Sequence, residues 1–183
     1  MNDPQQRTVN VGSSSGLAPS AQLIADFKAG MQRLAAAPCV LTTIHQGVRR
    51  GLTATAVCSL TADPPTLIAC INESAEAFAA MEQAGRLCVN VLTAEQVDIA
   101  RRFSGAMGHK GEARFEQAQW FELKTGAPAL AGAMAVFDCS IVQRTRWSTH
   151  SAFICQVEAV QVGEVATPLL YANREFLRAG PLG

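Results

Sequence analysis

The chain has 183 residues, 49% of them hydrophobic, and its 15 basic residues balance 15 acidic ones. This length suits a single domain with an ample core, and the charge balance leaves no global field to recruit nucleic acid or an anionic membrane surface. No apolar run approaches the roughly 20 residues needed to span a bilayer, so neither nucleic acid nor a membrane is an expected partner.

In chain order, residues 1–19 read as a flexible tail of polar and small residues, with no apolar stretch of the secretory kind. The G-x-S-x-G pattern at Gly12–Gly16 lies in that tail. It has no strand before it and no helix after it, so it is not read as a nucleophile elbow. The domain is expected over residues 20–178. Ser20 to Ala37 reads as a helix, because Leu23, Phe27, Met31 and Leu34 recur at spacings of three and four. Residues 39–45, "CVLTTIH", read as a strand. Leu52 to Leu60, in "GLTATAVCSL", has the β-branched chemistry of another, closed by Asp63, Pro64 and Pro65.

Residues 66–72, "TLIACIN", make a further strand. Residues 73–83 make a short helix closed by Gly85, and "RLCVNVL" (86–92) a strand. Thr93 and Gln96 have the spacing of a capping box, and the helix they open is expected to run to about Phe103. After a long loop, three strands are expected at "AVFDCSIVQR", "SAFICQVEAVQVG" and "PLLYAN". Strands dominate and helices do not alternate regularly with them, so the expected class is mainly β, an antiparallel barrel with peripheral helices.

Several chemistries are disfavoured. There is no G-x-G-x-x-G after a strand, no Walker loop, and three widely spaced histidines give no metal signature. Cys39, Cys58, Cys70, Cys88, Cys139 and Cys155 form no C-x-x-C pair and lie in apolar runs. They read as buried free thiols, which suits the cytoplasm. "GAMGHKG" (105–111) reads either as a surface loop or as one closing over a ligand with Lys110 near a phosphate.

The most informative stretch is Thr53-Ala54-Thr55-Ala56, a strand segment almost without bulk. Such a strand can let a planar ring lie against its backbone, or it can admit a closely packed helix. Thr53, Thr55 and Ser59 place hydroxyls at alternate positions. Asn72 and Ser74 stand where the 73–83 helix would offer free N–H groups.

"GLTATAVCSLTADPPTLIACIN", with "GRLCVNVLTAEQVDIARRFSG", "TGAPALAGAMAVFDCSIV", "STHSAFICQVEAV" and "PLLYAN", resembles the short-chain flavin reductase family. The members it resembles are the reductase components of 4-hydroxyphenylacetate 3-monooxygenase, of pyrimidine-utilisation monooxygenase systems and of related two-component systems. The resemblance implies an FMN-binding split barrel, six-stranded and Greek-key, working as a homodimer. It implies hydride transfer from NADH or NADPH to FMN or FAD, with diffusible reduced flavin passed to a flavin-dependent monooxygenase.

It places Thr53, Ala54, Thr55 and Ala56 along the flavin ring, and Ser59, Asn72 and Ser74 at its ribityl chain and phosphate. Phe103 would lie near the flavin. His150 would lie beside the nicotinamide as the catalytic residue, with Tyr171 close to the same pocket. No metal is implied. Two positions depart from the family pattern: Ser148 and Cys155 stand where glycine is usual. A non-catalytic flavin carrier and an oxidase of the pyridoxamine-phosphate type are the competing readings. The oxidase would call for an Arg/Lys cluster that is not evident in the sequence.

Overall fold

Two neighbouring strands of the sheet bury apolar residues on both faces, and the architecture follows from them. In the computed structural model, which describes residues 18–181, β1 (Cys39–His45) buries Val40 and Leu41 completely although they point to opposite sides. After β2 (Val48–Ala54), β3 (Val57–Ala62), β4 (Pro65–Asn72) and α2 (Phe78–Ala84), the strand β5 (Arg86–Val91) does the same with Leu87 and Cys88. A strand without a polar face needs cover on both sides. One cover is an interior cluster that includes Leu41, Ile71, Met81, Leu87 and Phe153. The other joins Val40, Cys88 and Leu92 to Ala100, Phe103, Phe115 and Leu130.

The helix α1 (Ala21–Gln32) precedes β1. A 3-10 turn (Ala94–Gln96) and α3 (Val97–Ser104) follow β5, then a second 3-10 turn (Gly111–Phe115). The short ribbon β6 (Trp120–Glu122) and β7 (Pro128–Leu130) comes next. The long hairpin β8 (Ala135–Trp147) and β9 (His150–Val162) and the ribbon β10 (Leu169–Ala172) and β11 (Glu175–Arg178) complete the chain.

Seven strands form one antiparallel sheet in the order β2-β1-β5-β8-β9-β4-β3. The two edge strands, β2 and β3, are consecutive in the chain. Only Thr55 and Ala56 separate them, so their ends stand at most about 11 Å apart. A flat seven-stranded sheet could not satisfy this, and the sheet curls until its edges meet. The barrel therefore has a seam, and the side-chain-poor residues lie on it.

The seam corrects the expectation of one continuous strand from Leu52 to Leu60. β2 ends at Ala54, and the chain crosses to the opposite edge of the sheet. For the same reason the sheet has seven strands rather than six. The N-terminal helix starts at its Ser20 cap, whose side chain accepts the Leu23 N–H at 3.1 Å, but it ends at Gln32 rather than Ala37. None of its residues is buried. The helix expected over 73–83 begins only at Phe78, and β6, β7 and β11 were not expected. The capping box is present, with the Thr93 N–H donating to Gln96 Oε1 at 3.1 Å. Apart from residues 18 and 19, the expected tail, with its Gly12–Gly16 pattern, lies outside the described residues.

All six cysteines are free thiols, but only Cys39, Cys88, Cys139 and Cys155 are buried. Burial pushes Cys39 up to about 11 and Cys155 up to about 12. Cys58 and Cys70 are exposed, contrary to expectation, because they project from the outer face of the β3–β4 edge.

Candidate functional site

A cleft of about 410 Å³ opens along the seam, and Thr53, Ala54, Thr55 and Ala56 all line it. Thr55 and Ala56 belong to neither flanking ladder. Among the described residues, the backbone bond recorded for them outside the strands runs from the Cys70 N–H to the Ala56 carbonyl, at 2.9 Å. This break leaves main-chain polar groups facing solvent beside side chains no larger than threonine.

The packing reading holds at one end of the ribbon, and the other end is open. A Cβ on Gly51 would lie 2.6 Å from Phe103 Cε1 and 2.9 Å from the Leu41 carbonyl oxygen. The glycine therefore exists to admit α3. The Thr53 hydroxyl donates to the Ala100 carbonyl at 2.7 Å, which binds the same helix. Its hydroxyl is thus committed, contrary to its expected role as a free donor. Thr55 and Ala56 are exposed and have no such neighbour among the described hydrogen bonds.

The opposite wall comes from the end of β4 and the start of β9, which pair Asn72 with His150. Both residues line the cleft. His150 is exposed, and its Nδ1 is 2.9 Å from the Thr149 hydroxyl. It leaves a tight turn whose first residue, Ser148, has φ +51°, so the departure from glycine keeps a left-handed backbone at that position.

Ser74 is not at a helix start. Its N–H and hydroxyl both donate to Asn72 Oδ1, each at 2.9 Å. That consumes the acceptor end of the amide and leaves its NH₂ as the group available to the cleft. Ser74 thus acts through Asn72 and does not line the cleft itself. Ser59 lies on the exposed face of β3, outside the cleft. Phe103 is 1% exposed and serves as the floor beneath the ribbon, packed edge-on against Phe115 at 5.0 Å.

Arg114 was not picked out from the sequence. Its guanidinium donates to the Gly51 carbonyl at 2.8 Å and the His109 carbonyl at 2.9 Å, and lies 3.5 Å from Glu76 Oε2. Glu76 Oε1 accepts the Gly111 N–H at 3.0 Å. These bonds tether the 105–111 loop to the cleft rim, while Lys110 is exposed and does not line the cleft. No spacing rule marks Arg114, because two of its partners, Gly51 and Glu76, lie 63 and 38 residues upstream. Arg102, in the last turn of α3, is buried and donates to the Ala113 carbonyl and to Gln117 Oε1.

Tyr171 lines an adjoining cleft of about 810 Å³, which shares Thr53, Thr55 and Ser104 with the first. Tyr171 and Phe176 meet there at 5.0 Å between ring centroids.

These residues fit a flavin. The ribbon presents a flat, side-chain-poor surface with accessible backbone amides, the Asn72 amide supplies a neutral polar partner, and the volume falls in the range of about 300–1,000 Å³ usual for ligand sites. Among the described residues, no group of three or more His, Cys, Asp or Glu could hold a metal ion.

Residues 31–180 match the flavin reductase like domain. FMN reductase (NADH) RutF 2 of Methylorubrum extorquens (strain PA1) is 42% identical over 158 residues, 86% of this chain and 91% of that protein. A flavin reductase domain protein from Arthrobacter sp. FB24 superposes with a TM-score of 0.80 at 28% identity, covering 87% of this chain and 98% of the other. Flavin reductase PheA2 gives 0.79 at 25% identity, covering 89% and 100%. The curled sheet, the seam cleft and these likenesses agree: the chain belongs to the flavin reductase family.

Proposed function

We propose that the protein is an NAD(P)H-dependent reductase of FMN or FAD, working at the seam cleft and releasing reduced flavin to a partner flavin-dependent monooxygenase, as in 4-hydroxyphenylacetate 3-monooxygenase-like systems. The observation that carries this reading is the pairing of a flat, amide-bearing ribbon at 53–56 with a histidine on the facing wall.

When bound, the flavin supplies the hydride-accepting chemistry, and the protein has only to position and polarise it. Thr55 and Ala56 provide a surface against which the ring lies, with backbone N–H groups able to face developing negative charge. Asn72, fixed by Ser74, presents its amide hydrogens. His150 stands at the rim, where its ring can donate to the nicotinamide carboxamide and orient it. Arg114 holds the rim loop through the carbonyls of Gly51 and His109. No nucleophile is needed, because bringing two rings to roughly 3–3.5 Å is a proximity effect.

A homodimer is part of the proposal. Leu23, Phe27 and Met31 on α1, with Leu34 just past its end, make an apolar stripe whose members are 49–65% exposed, and a second copy would cover it. The free thiols fit a reducing, cytoplasmic setting. No described helix is long and apolar enough to cross a membrane.

Mixing the protein with NADH and FMN or FAD should deplete the nicotinamide absorbance, and His150→Ala should slow that turnover by about tenfold or more. Flavin binding without turnover, with either nicotinamide, would instead favour a carrier. Sedimentation at micromolar concentration tests the dimer.

A further inference from the structure

The fold brings two arginines that are 73 residues apart in the chain into one cleft beside the flavin strip. Arg101 comes from the last turn of α3, and Arg174 from the β10–β11 turn. No such pair is evident along the chain, because the juxtaposition depends on how the C-terminal ribbon packs. Arg101 is partly engaged, by Asp98 at 3.0 Å and over the Phe176 ring at 5.7 Å. Arg174 is exposed and has no ion pair among the described residues. One carboxylate, Glu175, shares the cleft, which leaves a net positive lining.

The cleft also offers an aromatic wall, Tyr171 against Phe176, and opens directly onto the seam through Thr53 and Thr55. Guanidinium groups beside aromatic faces suit a phosphate next to a purine. The volume of about 810 Å³ accommodates a nucleotide-sized group.

We infer that this second cleft binds the adenosine-phosphate half of a dinucleotide whose redox ring lies at the seam, with Arg174 and Arg101 contacting its phosphates. The inference rests on the flavin-reductase reading and adds a distal subsite to it. Adenosine phosphate occurs in both NADH and FAD, so the test separates the two sources.

The test compares steady-state kcat/KM for NADH and for reduced nicotinamide mononucleotide, with FMN as acceptor, and then for FAD and FMN with NADH as donor. The proteins are the unsubstituted chain, Arg174→Gln and the Arg101→Gln/Arg174→Gln pair. Losing one charge-assisted phosphate contact should lower one ratio of dinucleotide to mononucleotide by about tenfold in Arg174→Gln, and further in the pair. A fall in the NADH ratio assigns the subsite to the nicotinamide dinucleotide, and a fall in the FAD ratio assigns it to the flavin dinucleotide. Arg174→Lys should recover part of the loss. If both ratios stay within about twofold of the unsubstituted protein in the pair, the inference is overturned. If the unsubstituted protein reduces no flavin with either donor, the reading beneath it fails instead, and the inference with it.

Discussion

The ribbon from Gly51 to Ala56 has two ends that are small for opposite reasons. At Gly51 there is no room: an added Cβ would meet Phe103 and the β1 backbone at under 3 Å. At Thr55 and Ala56 there is room on the solvent side, and the backbone belongs to no ladder. One end serves packing and the other is the face proposed for a ligand, although the residues at both ends are small. A run of small residues therefore reports a close approach, and only the surroundings say whether a helix or a cofactor makes it.

The largest test of this contrast is at the packed end. Gly51→Val should destabilise by about 2–3 kcal/mol, since one of its close neighbours is backbone that cannot swing aside. Denaturant unfolding with an unchanged m-value would show it. Gly51→Val within about 0.5 kcal/mol of the unsubstituted protein would break the contrast. The open end should behave in reverse. Ala56→Trp should leave stability within about 0.5 kcal/mol, yet weaken flavin binding at least about tenfold by occupying the face proposed for the ring. Titration of flavin fluorescence measures this. Equal loss of stability at both positions would show that the ribbon is packing surface throughout.

A smaller effect should appear where the two walls of the cleft are tied. Glu73 follows Asn72, and its N–H donates to the Thr149 carbonyl at 2.9 Å. Its carboxylate accepts from the Ser151 hydroxyl at 2.7 Å and from Arg144 and Arg146 at 3.0 and 3.1 Å. Arg144 continues to Glu82 and lies over the Phe78 ring. The Ser151 hydrogen bond, helped by the two arginines, holds the Glu73 carboxyl below its usual range. A depressed carboxylate contributes its stability above the ordinary glutamate value and loses it as pH falls through the folded-state value. The tie should therefore persist at neutral pH and fail only below about 4.3. Glu73→Gln should remove that acid-side loss and raise the KM for NADH about threefold with kcat little changed, because His150 is loosened rather than lost. A fall in kcat alone would place the network outside substrate positioning.

Much of the sheet was legible because its strands carry a strong local signal. Residues 39–45 coincide with β1, and the doubly buried strands announce themselves by apolar residues at successive positions, Cys39-Val40-Leu41 and Leu87-Cys88-Val89. The seam was not legible. Val57 to Leu60 continues the β-branched chemistry of the preceding strand, and nothing local says that the chain changes sheet edge between Ala54 and Val57. The same limit applies to the cleft. Residues 53–56, Asn72, Phe103 and His150 were found through pattern and resemblance, and the fold brings them together. Ser59 was misplaced because alternation was extended across the break. Arg114 and Glu76 were missed because their roles depend on contacts between distant segments.

The smallest expected effect concerns a glycine that is missing. Gly51 is present where side-chain space is lacking, whereas Ser148 occupies a position where the backbone itself asks for glycine, at φ +51°. A non-glycine residue in that region costs roughly 1–2 kcal/mol, and glycine gives back about 0.5–1 kcal/mol through its freer unfolded chain. Ser148→Gly should thus stabilise the protein by at most about 1 kcal/mol, or roughly 2–4 °C in Tm for a chain of this size. Because the Trp147–His150 pairing already closes the turn, the histidine should not move. The KM for NADH should therefore stay at its unsubstituted value while Tm rises. A change in KM without a gain in Tm would mean that the serine shapes the His150 wall, and that the cleft depends on its turn as much as on its ribbon.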